Sequence, residues 1–205
     1  MSLYWEPLYF YARRRGWSVE DAQDAVQEFY SALVRREAVK RVEQARGRLR
    51  TFFLSAFENF LAERWRAGQA QKRGGGETPL SLDLAMAEDH FAAEPVDALS
   101  PERLFDRRWT STLLERVLAA LRADYGAAGK GALFEVMQSA LARDAAHFGY
   151  ADVGAALGLS ENAMKKAVAR LRVKYRETLQ REIADTLSNP ADAENELRAL
   201  MTAFA

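Results

Sequence analysis

The chain has 205 residues, 49% of them apolar and 28% charged, and its 29 Lys+Arg are balanced by 29 Asp+Glu. These fractions argue against intrinsic disorder and fit a folded chain of one large domain or two small ones. The lack of cysteine excludes disulfides and thiolate chemistry, and two histidines, His90 and His147, are too few for a His-rich metal site.

Helical spacing begins at once. Trp5, Leu8, Tyr9 and Ala12 predict a first helix, which Gly16 and Trp17 separate from a second. Ser18 followed by Glu20 and Asp21 reads as an N-cap with an acidic first turn. Behind it, Ala22, Ala25, Val26, Phe29, Tyr30, Leu33 and Val34 recur three and four apart, one face of a helix. A third helix is expected over about Leu49–Ala67, with Phe52, Phe53, Ala56, Phe57, Phe60, Leu61 and Trp65 as its apolar set. Aromatics at that spacing mostly mean core. Residues 41–73, however, hold eight basic and three acidic side chains, and aromatics interleaved with cations also suit unpaired nucleic acid.

Residues 74–76 are three glycines and Pro79 follows, so a helix cannot continue there. Residues 71–100 are read as a flexible acidic linker with a short helix near Leu82–Phe91. Within this stretch the charge turns negative: residues 79–106 hold seven acids and one base. Ser100 and Pro101 then form a cap and first-turn pair. The helix they open carries Trp109, Leu113, Leu114, Val117, Leu118 and Leu121 and ends near Tyr125-Gly126. A further helix is expected over about Gly131–Arg143. No stretch has the alternation of a strand, so the fold class is all-α. The expected layout is two helical domains, 1–70 and 101–188, with a C-terminal helical tail at 189–205. That tail, NPADAENELRALMTAFA, is amphipathic and is expected to pack on the chain itself.

The most informative stretch is Tyr150–Tyr175, YADVGAALGLSENAMKKAVARLRVKY. It reads as a short helix, a turn at Gly158 needing positive φ, an apolar plug at Leu159, a Ser160 cap and a second helix. Val153, Leu157, Leu159, Met164, Val168 and Leu171 fall inward. This is the sequence form of a helix-turn-helix. Residues 161–176 hold six bases and one acid, Glu161. The plainer reading is a helical hairpin with a solvated basic face; the coincidence of small residue, turn, plug, cap and cations favours DNA.

Taken in order, these segments resemble a sigma factor of the sigma-70 class, of the extracytoplasmic-function (ECF) type. GWSVEDAQDAVQEFYSAL is similar to that family's polymerase-docking helix. GRLRTFFLSAFENFLAERWRAGQAQKRGGG resembles the subregions that open and hold the −10 element. FGYADVGAALGLSENAMKKAVARLRVKYRE is similar to the region that reads the −35 element. The resemblance implies polymerase contacts at Asp21, Asp24, Gln27, Glu28 and Phe29. It implies −10 contacts at Arg50, Asn59, Arg64, Trp65, Arg66, Lys72 and Arg73. It implies −35 contacts at Ser160, Glu161, Lys165, Lys166, Arg170, Arg172 and Lys174. The implied partners are core RNA polymerase (its β-prime clamp and β flap) and promoter DNA, double- and single-stranded; there is room for an anti-sigma factor or other regulator. Gly154 replaces a commoner alanine, which is expected to weaken its helix by up to about 1 kcal/mol.

No cofactor, metal or catalysis is expected, since acids such as Glu58 and Glu63 lack a base partner. No apolar run reaches the roughly 18 residues of a membrane span, and the first residues do not read as a signal peptide. The expected location is the cytoplasm, away from membranes. The alternative function is a polymerase-independent helix-turn-helix regulator of transcription.

Overall fold

A computed structural model describes residues 3–35, 49–70, 82–94, 99–142 and 148–204. Every regular element among them is helical: α1 (Trp5–Arg14), α2 (Val19–Arg35), α3 (Leu49–Ala70), α4 (Leu82–Ala92), α5 (Pro101–Ala127), α6 (Gly131–Met137), α7 (Ser139–Ala142), α8 (Tyr150–Ala156), α9 (Glu161–Ala184), a 3-10 turn (Pro190–Asp192) and α10 (Ala193–Phe204). Among the described residues the fold is all-α, as expected. Among the described residues no helix is long and apolar enough to cross a membrane. The chain divides into two compact units: Met1–Thr112 with Ile183–Ala205, and Leu113–Glu182.

In the first unit α1 is the central element. Residues 6 through 12 are all buried, a pattern that marks a helix surrounded by neighbours rather than lying on a surface. The expected apolar stripe was narrower, because a single 3.6-residue period assumes one packed side. Phe10 meets Phe91 edge-on at 5.4 Å. Tyr11 meets Phe57 at 6.3 Å and donates its hydroxyl to Glu58 at 3.0 Å. Gly16, at φ +88°, ends the helix, and the Trp17 amide turns back to the Ala12 carbonyl at 3.2 Å. Ser18 then caps α2 by accepting the Asp21 amide at 3.1 Å.

α2 buries Ala22, Ala25, Val26 and Phe29. Phe29 lies 5.1 Å from Phe57 and 5.7 Å from Phe60; of the aromatic run on α3, expected to be mostly core, Phe57 is buried and Phe52, Phe53 and Phe60 are half-buried. Trp65 is the exception, 62% exposed.

The described part of the expected linker is packed. α4 buries Leu84 and Ala87. Its Glu88 accepts from two Arg13 nitrogens, Nε at 2.7 Å and Nη2 at 3.0 Å, and from the Tyr9 hydroxyl. Burial opposes the charge on Glu88, but these hydrogen bonds hold its carboxyl below the ordinary value. Within the expected linker 71–100, residues 82–92 form a packed helix; residues 71–81 and 95–98 lie outside the described residues.

Ser100 caps α5 through the Arg103 amide at 3.3 Å. The first half of α5 inserts Leu104, Phe105, Arg108 and Trp109 into the first unit, so the boundary falls inside this helix rather than at residue 100. Two buried guanidiniums are paired here. Arg108 meets Glu6 at 3.0 Å, and Arg50 meets Asp106 at 2.7 Å and Glu196 at 2.9 Å. Glu196 belongs to α10, which also buries Ala193 and Leu200; the tail packs on the chain itself, as expected. Asn189 caps the preceding turn by accepting the Ala191 amide at 3.2 Å.

The second unit is built from the rest of α5 with α6–α9. Its buried set includes Leu113, Val117 and Leu121 of α5 with Phe134, Met137, Ala140, Met164, Val168 and Leu171. The single helix expected over Gly131–Arg143 is two segments meeting at Gln138, and Arg143 lies outside the described residues.

Candidate nucleic-acid interface

The turn between α8 and α9 is built as its residues dictate. Gly158 has φ +68°, and the Leu159 and Leu157 amides both return to the Gly154 carbonyl, at 2.9 and 3.0 Å. The Ser160 hydroxyl accepts the Ala163 amide at 3.2 Å and caps α9. Gly154 is buried, and a Cβ on it would stand 2.8 Å from the Leu159 carbonyl oxygen. The expected weak point is thus a required contact: alanine does not fit, because two backbones meet there.

Met164, Ala167, Val168 and Leu171 lock one side of α9 into the unit. The rest of its surface carries Lys165, Lys166, Arg170, Arg172 and Lys174, all exposed. Their situations differ. Lys165 pairs with Glu161 at 2.6 Å, which holds its ammonium above the ordinary pKa, and it lies 5.8 Å from the Tyr150 ring centre. Arg172 donates to the Ala140 carbonyl at 2.8 Å. Lys174 stands 5.6 Å over Tyr125. Lys166 and Arg170 make no side-chain hydrogen bond or ion pair among the described residues. A ligand would meet Lys166 and Arg170 as unspent charge, whereas Arg172 already orders α9 against α7.

On α3, Asn59, Trp65 and Arg66 are exposed. Arg66 folds back to the Ala62 carbonyl at 3.1 Å. Arg64 lies 5.7 Å over Trp17 and reaches Glu28 of α2 at 2.8 Å. Two expected sets are joined here, since Glu28 belongs to the polymerase set and Arg64 to the −10 set. Arg50 requires correction. It is 8% exposed, doubly paired, and 5.4 Å over Trp109, so its charge is committed to the core. Lys72 and Arg73 lie outside the described residues.

Of the expected polymerase set, Asp21, Asp24, Gln27 and Glu28 line the exposed side of α2, and Phe29 is buried at 3% exposure. Asp21 also accepts the Ser18 hydroxyl at 2.9 Å, so part of its work is capping. Glu58, weighed above as an acid, is held by Tyr11 instead.

Asn162, Ala169 and Val173 are exposed among these cations; the sequence signal for them is spacing, Ala169 and Val173 lying seven and eleven residues beyond Asn162, which a count of charges does not contain. Compared with protein-family models, curated proteins and solved structures, the chain finds no match in any of the three.

Proposed function

We propose that the chain is a transcription initiation factor of the ECF sigma type. In this reading α8 and α9 form a helix-turn-helix for the −35 element, and the first unit binds core polymerase and the opened −10 strand. The observation that carries the reading is the exposed, cation-bearing surface of α9, set on a tight, capped turn and backed by the buried side of Met164, Ala167, Val168 and Leu171. A groove-binding helix needs that combination: rigid seating on one side and unspent charge on the other. The exposed acidic and amide side of α2 suits docking on a protein surface. Trp65 and Asn59 offer a stacking face and an amide for an unpaired base. No catalysis and no cofactor enter the proposal.

The test is retention of purified core RNA polymerase by the full chain. Asp24 is exposed and makes no hydrogen bond or ion pair among the described residues, so Asp24→Arg should leave stability within about 0.5 kcal/mol. We expect Asp24→Arg to lose the polymerase and with it promoter-directed transcription in vitro. Specific binding of a palindromic duplex by the chain alone, with no retention of polymerase, would replace this reading with a polymerase-independent regulator.

A further inference from the structure

The side chains of α9 that point most directly away from its buried side are mostly uncharged. At about 100° per residue, Asn162, Lys166, Ala169 and Val173 fall within roughly 60° of one another. Their common direction is about 180° from the centre of the buried set Met164, Ala167, Val168 and Leu171. All four are exposed, Val173 to 57%. Cations border them on both sides, Lys165 and Arg176 on one and Arg170 on the other. An exposed valine and alanine between cations are not explained by solvation alone.

We infer that this stripe is the base-reading edge of α9, an inference that rests on the reading of α9 as a recognition helix. Asn162 takes an adenine, Ala169 takes the methyl group of a thymine, and the bordering cations hold phosphates. The geometry selects this division of labour. When a helix enters a major groove about 12 Å wide, the side opposite its packed face goes deepest. Long charged chains there would hold the helix off the bases, whereas short uncharged ones let its backbone approach. Residues to either side of that line meet the groove walls, where the phosphates are. Asn162 lies in the first turn of α9, the end of a recognition helix that meets base edges. Its amide carries a donor and an acceptor, matching adenine N6 and N7, and it has no partner among the described residues. Lys166, between Asn162 and Ala169, is the one cation in the stripe, and it suits the paired acceptors of a guanine.

The experiment uses the full chain with core RNA polymerase and a duplex library randomised across the upstream half of a promoter. Retained sequences are counted for the wild type and for Asn162→Ala. We expect the wild type to prefer adenine at one position on the order of 10- to 100-fold, and the variant to lose that preference alone. Replacing the thymines of the retained motif one at a time by uracil, which lacks only the methyl, should weaken wild-type retention at one position and leave Ala169→Gly indifferent there. Far-UV circular dichroism of both variants checks that α9 is intact. If the wild type enriches a motif and Asn162→Ala keeps it unchanged, the stripe assignment is overturned while the recognition helix stands. If the wild type adds no duplex retention to that of core polymerase, both fall.

Discussion

At Gly154 the α8 backbone approaches the start of α9 more closely than any side chain allows. The added Cβ would meet the Leu159 carbonyl oxygen at 2.8 Å and Met164 Cβ at 3.5 Å. The nearer obstacle is backbone, and it cannot slide away cheaply, because the Leu159 amide is bonded to the Gly154 carbonyl. Two effects compete. Helix propensity favours alanine by up to about 1 kcal/mol, and overpacking a fitted site costs about 1–3 kcal/mol. With backbone as the neighbour the clash wins. Gly154→Ala should lose about 1–2 kcal/mol, read from the urea midpoint at unchanged slope. A gain in stability would mean that the turn opens without resistance. From sequence alone this position looked like a defect, because the sequence states the propensity of a residue but not the distance to its neighbour.

Among the elements, α10 and α4 show where sequence reading reaches its limit. The amphipathic spacing of α10 announced a buried side, and Ala193, Glu196 and Leu200 form it. No spacing announces that Glu196 would find Arg50, 146 residues away. That pairing is also why Arg50 was misassigned to DNA: a cation in a basic stretch looks free until its acid is located. Both groups are nearly dry, so removing the acid leaves a buried guanidinium with Asp106 alone. Glu196→Ala should cost about 3 kcal/mol, while Asn195→Ala on the exposed side of the same helix should stay within about 0.5 kcal/mol. Thermal unfolding of both variants checks this, and equal effects would remove the ion pair from the account. α4 makes the same point from the other direction. Its acids, with glycines before it and prolines on both sides, resembled a linker, yet Glu88 is fixed by Arg13 from 75 residues away. By contrast, the Ser18, Ser100 and Ser160 caps and the Gly158 turn were legible because they are local: each is decided by the three or four residues around it.

At the scale of the whole molecule, the formal charge is zero, so no long-range field draws the chain as a body toward a polyanion. Any affinity for DNA must come from particular faces at short range. On α9, Lys165 is partly neutralised by Glu161 and Arg172 is engaged with α7, which leaves Arg170 among the fully available cations. The candidate face was legible as a charge count over 161–176, but how many of those charges remain unspent depends on contacts that a count does not contain. Arg170 borders the stripe rather than lying in it, so on the proposed reading it would meet a phosphate, common to every sequence. Arg170→Ala should therefore weaken duplex binding by a similar factor on all promoters and flatten the slope of log Kobs against log salt by about 0.9. Titrations of the polymerase-bound chain between about 50 and 200 mM salt measure that slope. A slope equal to the wild type's, or a loss confined to one promoter sequence, would take Arg170 off the phosphate and require the stripe and its border to be redrawn.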